Sequence, residues 1–163
     1  MDGLTALAKK VPELDLSRVA VTGWSFGGYF TAMAVLKRPD LFKVGVSGAP
    51  VTDWHDYDTH YTERYLGLPD AAPEAYKVSS ALTYADKLSR PLLLIHGLTD
   101  DNVYFVHTLK LTNALFNAGK PYDLIPLPGT HMLYDPRQTL MLWSRVVDYM
   151  NQALGLPVVY GQP

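Results

Sequence analysis

Ser25 lies midway between two glycines, at a spacing that can turn a serine hydroxyl into a nucleophile. Residues 23–27 read Gly-Trp-Ser-Phe-Gly, which is a G-x-S-x-G pattern. Glycines at these positions let a strand and a helix approach closely around one strained serine, whose hydroxyl is displayed above a sheet. The backbone N–H of Phe26, at the start of the following helix, would face the oxyanion formed when Ser25 attacks a carbonyl. This chemistry is acyl transfer.

The same spacing can arise by accident, because the chain contains 12 glycines in 163 residues. The flanking sequence favours the nucleophile. Residues 19–22 are apolar and rich in β-branched side chains, which predicts a buried strand, and residues 29–37 predict a helix that Pro39 stops. A strand before the motif and a helix after it are what a nucleophile on a sharp turn requires.

Helices and strands alternate through the rest of the chain. Four apolar residues share one face of a first helix that Pro12 closes: Leu4, Leu7, Ala8 and Val11. Further strands are predicted at residues 44–48, 92–96 and 122–127. Gly119 ends a helix marked by Leu111, Ala114, Leu115 and Ala118. The predicted last helix is lined by Trp143, Val147, Met150 and Leu154.

This alternation predicts an α/β fold with a mainly parallel sheet and helices on both faces. In such folds the ligand site lies at the carboxyl ends of the strands. Residues 51–87 have no clear period and contain many aromatic residues and several prolines, so they predict a long excursion with short helical turns. Long excursions between strands often carry function.

Candidate partners for Ser25 follow two later strands. Asp100 and Asp101 come after the strand at residues 92–96, and His131 comes after the strand at residues 122–127. The order Ser, Asp, His is that of the α/β-hydrolases. His131 would act as general base, and one aspartate would hold its imidazole in the right tautomer. Either aspartate suits this role, and both also suit a turn that caps the next helix.

Composition excludes several other classes of function. A chain of this length is expected to form one domain, and a net charge of -2 with 18% charged residues predicts no nucleic acid or anionic lipid partner. There is no cysteine, which excludes disulfides and thiolate metal sites. No membrane span and no signal peptide are predicted, so a leader would lie upstream, and a periplasmic or extracytoplasmic location stays open. We expect no cofactor.

Several histidines and acids outside these motifs have plainer explanations. Asp56 and His60 have helical spacing for a metal pair within a cluster that also contains Asp53, His55 and Asp58. Acids that begin exposed helices explain most of that cluster, so we predict no metal. His96 is predicted to be a satisfied structural histidine and His107 to face solvent. Trp143 is predicted to lie in the core, with a dimer contact as the alternative.

Three motifs together resemble the catalytic domain of the prolyl oligopeptidase family. They are the G-W-S-F-G-G-Y run at residues 23–29, the H-G-L-T-D-D-N-V run at residues 96–103 and the G-T-H run at residues 129–131. Residues 54–65 are similar to the dipeptidyl peptidase IV type. The resemblance implies a partial α/β-hydrolase fold and a triad of Ser25, Asp100 and His131. Phe26 stands where tyrosine is common, which leaves the backbone N–H in place.

The resemblance also implies a substrate and a larger parent protein. The implied activity is a serine exopeptidase that releases X-Pro or X-Ala dipeptides from peptide amino termini. Asn102 falls on a residue that helps to hold the substrate carbonyl. A small apolar pocket for proline or alanine would be formed by Val51, Trp54, Tyr57, Tyr61 and Val103.

Residues 1–163 would be the carboxyl-terminal part of a peptidase catalytic domain. The family's amino-terminal β-propeller, which grips the substrate amine, has no counterpart here. The first half of the hydrolase domain, which supplies a second oxyanion donor, is also without one. We therefore expect the isolated chain to have little or no peptidase activity, and its exposed sheet edge or last helix to favour a homodimer. Alternatives are an acylaminoacyl peptidase or oligopeptidase, an inert folded or oligomerisation module, and a small esterase.

Overall fold

Four parallel strands form one sheet in the computed structural model, which describes residues 2–160. The strands are β1 (Val19–Trp24), β2 (Phe42–Gly48), β3 (Leu92–Gly97) and β4 (Asp123–Leu127). They lie side by side in chain order, and each neighbouring pair is parallel. The α/β fold class and its parallel sheet are therefore confirmed.

Six α-helices within residues 2–160 connect and flank these strands. They are α1 (Asp2–Lys10), α2 (Phe26–Lys37), α3 (Thr59–Leu66), α4 (Pro73–Ser79), α5 (Val106–Asn117) and α6 (Pro136–Ala153). The excursion between β2 and β3 contains α3, α4 and two 3-10 segments, Trp54–Asp56 and Ala81–Lys87, as its sequence predicted. No helix within residues 2–160 is long and apolar enough to cross a membrane.

Alternating side chains of β3 pack in apolar clusters on the two faces of the sheet. Leu92 and Leu94 pack in a cluster with residues of α2, α5 and the second 3-10 segment. Leu93 and Ile95 pack in a separate cluster with Val146 of α6. Because successive strand residues point to opposite faces, these two clusters place helices on both sides of the sheet, as predicted.

The two outer strands are β1 and β4. The prediction that β1 is buried is wrong: its residues are partly exposed, because within residues 2–160 it pairs with β2 alone. Pro126 lies in β4, and proline is tolerated there because an edge strand needs no N–H donor on its outer side. The strand that carries the serine motif is thus unpaired along its outer edge in the described part of the chain.

The apolar face of α6 differs from the predicted one. Trp143 is half exposed, so its assignment to the core is wrong. The residues of α6 that pack against the sheet cluster are Leu142, Val146, Tyr149 and Met150. Their spacing of three and four residues defines a stripe rotated by about one position from the predicted stripe. At the other end of the chain, α1 forms as predicted, but Leu7 remains exposed.

Candidate active site

Ser25 occupies the turn between β1 and α2 in a strained backbone conformation. Its φ of 60° and ψ of −118° are rare for a residue with a side chain. A Cβ at Gly23 would overlap the backbone of Gly27, and a Cβ at Gly28 would overlap the carbonyl of Gly48 in β2. Glycine at these two positions therefore permits the close approach that exposes the serine. Gly27 itself has open space around its Cβ position.

The backbone around Ser25 is fixed except at one donor. The N–H of Ser25 donates to the Gly48 carbonyl at 2.9 Å, and the Ser25 carbonyl accepts from the N–H of Tyr29 at 3.0 Å. The N–H of Phe26, at the first position of α2, donates to no acceptor within residues 2–160. An unpartnered N–H at a helix N-terminus beside a serine is available to an oxyanion.

Asp100 follows β3, and its carboxylate is fully buried and multiply hydrogen-bonded. Oδ1 accepts from the backbone N–H groups of Asn102 and Val103, at 3.0 and 2.9 Å. Oδ2 lies 2.7 Å from Nδ1 of His131 and 3.2 Å from Nε2 of His96. The neighbouring Asp101 is exposed. Of the two candidate aspartates, the structure therefore brings Asp100 to His131.

His131 presents one ring nitrogen to Asp100. That contact uses Nδ1, which leaves Nε2 as the nitrogen available to another group. Ser25 Oγ makes no hydrogen bond to His131, or to any other group in the described range. Hydrogen bonds between catalytic groups are often long without substrate and tighten when it binds.

The loop that carries His131 is tied to the serine motif by Trp24. The indole N–H of Trp24 donates to the backbone carbonyl of His131 at 2.7 Å. A Cβ at Gly97 would overlap the carbonyls of Gly129 and Thr130, so this loop also lies against the end of β3. The sequence did not predict this bond of Trp24. An indole beside the nucleophile is a weak signal, since most tryptophans pack without such a bond.

The predicted pocket residues come together beside the serine motif. Val51, Trp54 and Val103 are buried in one cluster with Tyr57 at its edge. Trp54 stacks on Tyr61 with ring centroids 5.9 Å apart and meets Tyr57 edge to face at 5.8 Å. The ring of Phe26 lies 6.2 Å from Trp54 and is itself exposed. The rings of Phe26, Trp54, Tyr57 and Tyr61 form an aromatic wall that starts at Phe26.

Asn102 joins this wall through a hydrogen bond. The hydroxyl of Tyr57 donates to Oδ1 of Asn102 at 2.9 Å. Burial, with a smaller contribution from Asp58, raises the pKa of Tyr57, so the hydroxyl stays protonated and remains a donor. With its oxygen occupied, the Asn102 amide offers its N–H donors to other partners.

Comparison with known proteins identifies the family to which the chain belongs. The model of the prolyl oligopeptidase family matches residues 1–157. The chain belongs to the prolyl oligopeptidase family. It is 43% identical over 159 residues to dipeptidyl peptidase 8 of Homo sapiens, covering 95% of this chain and 18% of that protein. It is 34% identical over 160 residues to prolyl endopeptidase FAP of Homo sapiens, covering 95% of this chain and 21% of that protein.

The fold comparison agrees with the sequence comparison. The crystal structure of Porphyromonas gingivalis dipeptidyl peptidase 4 matches with a TM-score of 0.83 and 36% identity, over 91% of this chain and 21% of that chain. The resemblance to the family and the α/β-hydrolase fold are thus confirmed. The chain spans about a fifth of the length of these relatives.

Two acids of the cluster at residues 53–60 form ion pairs with a lysine. Lys110 of α5 forms ion pairs with Asp53 and Asp56. The Asp56 carboxylate, hydrogen-bonded to Lys110, raises the pKa of that ammonium group. Asp58 caps α3 by accepting from the N–H of Tyr61 at 2.7 Å, and Asp53 accepts from His55. No group of three or more potential metal ligands occurs within residues 2–160.

Two further histidines, His96 and His107, are buried. His96 is fully hydrogen-bonded, which agrees with the predicted structural role. The prediction that His107 faces solvent is wrong, because this residue lies one turn before Leu111 on the inner face of α5. Its Nδ1 accepts from the N–H of Thr52 at 3.2 Å, and its Nε2 has no partner in the described part of the chain. Burial lowers the pKa of His107.

Proposed function

We propose that this chain contains the nucleophile, the acid–base histidine and the primary pocket of a dipeptidyl peptidase IV-type serine exopeptidase. The proposal rests chiefly on the strained Ser25 beside the free Phe26 N–H, with Asp100 held against His131 at the neighbouring strand ends. The relatives are named as a dipeptidyl peptidase and a prolyl endopeptidase. These names support peptidase activity, and the substrate specificity is left to be tested.

The proposed reaction proceeds through an acyl-enzyme. Ser25 Oγ attacks the carbonyl carbon of the substrate's second residue while its proton passes to Nε2 of His131. The Phe26 N–H stabilises the oxyanion. The carbon–nitrogen bond then breaks, and the leaving amine takes the proton from His131. Water, deprotonated by the same imidazole, attacks the acyl group and releases the dipeptide, and the proton returns to Ser25.

The aromatic wall supports a preference for proline or alanine before the scissile bond. Val51, Trp54 and Val103 supply a buried apolar floor, and Tyr57 and Tyr61 supply ring faces. A proline ring has no amide N–H that such a site would leave unpaired, so it can be buried at low cost. We propose that Asn102, whose Oδ1 accepts from Tyr57, donates an amide N–H to a substrate carbonyl.

We further propose that residues 1–163 are the carboxyl-terminal part of the catalytic domain. The short span relative to the relatives and the unpaired outer edge of β1 support this assignment. In that case residues 1–163 lack the second oxyanion donor and the propeller that grips the substrate amine. The loss of one oxyanion donor costs about 3 to 4 kcal/mol of transition-state stabilisation. We expect the pure chain to turn over a proline dipeptide substrate at a negligible rate, and robust turnover would refute this expectation.

A fluorophosphonate probe tests the triad without the missing parts. The probe needs an activated serine and neither the amine grip nor the proline pocket. We expect one adduct by intact mass on the wild type and none on Ser25→Ala or His131→Ala. Ser144→Ala, which changes a serine on α6, should label like the wild type. Absence of labelling on the wild type would show that the triad is not active in this chain.

Within residues 2–160 the outer edge of β1 is unpaired, which favours a second candidate function, association between copies of the chain. An unpaired strand presents backbone donors and acceptors that another strand can satisfy. Sedimentation of the pure chain distinguishes the candidates. A stable dimer without probe labelling would favour an inert oligomerisation module, and a labelled monomer would favour the hydrolase alone.

A further inference from the structure

His96, near the carboxyl end of β3, contacts the Asp100 carboxylate. Its side chain is fully buried, and both ring nitrogens have partners. Nδ1 lies 2.7 Å from Oγ1 of Thr108 on α5. Nε2 lies 2.7 Å from the carbonyl oxygen of Val103 and 3.2 Å from Oδ2 of Asp100. One imidazole therefore contacts both ends of the loop that carries Asp100.

These contacts fix the position of the proton on the ring. The carbonyl of Val103 and the carboxylate of Asp100 are both acceptors, so Nε2 must carry a hydrogen. The Thr108 hydroxyl makes no other hydrogen bond within residues 2–160, so its O–H donates to Nδ1. His96 is thus a neutral donor whose tautomer is set by Thr108. Burial lowers the pKa of His96, which agrees with a neutral ring.

A neutral donor suits this position better than a charged one. Asp100 Oδ2 is also the atom that contacts Nδ1 of His131. A cation at position 96 would offset the negative charge of the Asp100 carboxylate. The carboxylate would then stabilise a protonated His131 less strongly. A neutral N–H directs the carboxylate while leaving its negative charge available to His131.

We propose that His96 is a positioning residue for Asp100, holding Oδ2 toward His131 and closing the loop of residues 100–103 through the Val103 carbonyl. The two backbone N–H groups on Oδ1 hold one carboxylate oxygen, and His96 holds the other, which also contacts His131. This inference rests on the proposed function, since it gives His96 a role in a triad that contains Asp100.

The test compares variants of the full chain by two measurements. NMR detects the low-field Nδ1–H of His131, which reports its hydrogen bond to Asp100 without any reaction. The rate of fluorophosphonate labelling reports the activation of Ser25. The variants are His96→Phe, which removes the donor, His96→Gln, which retains an N–H of similar reach, and His107→Phe, which removes an equally buried imidazole that does not contact Asp100.

We expect His96→Phe to lose the low-field signal and to label roughly tenfold to a hundredfold more slowly, since displacement of a catalytic group by about 1 Å can cost a factor of that size. His96→Gln should recover most of both measurements, and His107→Phe should retain both even where its melting temperature falls. The inference is overturned if folded His96→Phe matches His107→Phe, or if His96→Gln is as impaired as His96→Phe.

Two further outcomes are also decisive. If His96→Phe does not fold, Thr108→Val takes its place, because it removes the hydroxyl that fixes the tautomer with little change in volume. A shifted or broadened His131 signal in Thr108→Val supports the inference, and an unchanged signal overturns it. If the wild type is not labelled, the proposed function fails for this chain, while the NMR comparison still decides the role of His96.

Discussion

The loops that carry Asp100 and His131 lie near the aromatic wall, but the two regions are stabilised by different forces. Asp100 and His131 lie on short loops at neighbouring strand ends and are fixed by directional hydrogen bonds to backbone and side-chain groups. The pocket is contributed largely by the excursion between β2 and β3, and its rings are fixed by edge-to-face and stacked packing. Directional networks fail abruptly when one member is removed, whereas apolar packing weakens gradually.

The largest expected effect falls on the directional region. Asp100→Asn replaces one acceptor oxygen with a donor and favours the wrong tautomer of His131. We expect fluorophosphonate labelling of Ser25 to slow by about 10³- to 10⁴-fold, as is typical of this change in serine hydrolases. Asp101→Asn, at the exposed neighbour, should label at the wild-type rate. Equal effects of the two variants would contradict the assignment of Asp100.

A second prediction concerns the turn itself. Gly23→Ala places a Cβ against the backbone of Gly27, which cannot move aside as a flexible side chain would. We expect a loss of about 1 to 3 kcal/mol in the free energy of unfolding, measured by urea denaturation. Gly27→Ala is the matched control, because its Cβ meets open space at the start of a helix and should leave stability unchanged or improve it. Similar losses in both variants would show that the close approach is not the cause.

The pocket should respond more mildly. Tyr57→Phe keeps the ring and removes the hydrogen bond to Asn102. We expect a loss of about 0.5 to 1.5 kcal/mol in the free energy of unfolding and a labelling rate within about twofold of the wild type, since the probe does not use the pocket. Tyr134→Phe, at an exposed tyrosine, is the control. A large fall in labelling for Tyr57→Phe would mean that the two regions are coupled.

The smallest expected effect is a dependence of stability on pH. Burial lowers the pKa of His96 and of His107 from the usual 6.5. Below that value the unfolded chain binds protons that the folded chain excludes, so stability falls as pH drops from about 7 to 5. The urea midpoint should depend less on pH across this range in His96→Gln, and also in His107→Gln, than it does in the wild type. An unchanged slope in both variants would contradict the prediction.

The parts of the molecule that local patterns specify were predictable. The serine motif requires only a strand, five residues and a helix, and all of these lie within residues 19–37. Apolar runs defined the later strands, and Gly119, with a φ of 65°, ends α5 as expected. Strand order then indicated that groups after β3 and β4 would meet. The choice of Asp100 over Asp101 needed the family resemblance, because neighbouring residues in a loop give no local signal of direction.

What escaped prediction depends on contacts between distant segments. The ion pairs of Lys110 with the acids of the excursion join α5 to a segment more than fifty residues away, and no periodicity records them. The spacing of His107 to Leu111 indicated that both residues lie on the buried face of α5. The prediction was wrong because a buried helix face is identified from its apolar residues, and His107 is polar. The half-exposed Trp143 shows the converse error, since a large ring alone does not identify the buried face of a helix.

The bond from the Trp24 indole to the His131 carbonyl spans 107 positions of sequence. Contacts that close so long a loop are made late in folding, after local helices and neighbouring strands have formed. During synthesis, the turn that carries Ser25 can therefore form well before His131 has left the ribosome. The growing chain therefore exposes the Ser25 turn before β4 and the loop that carries His131 have docked against it.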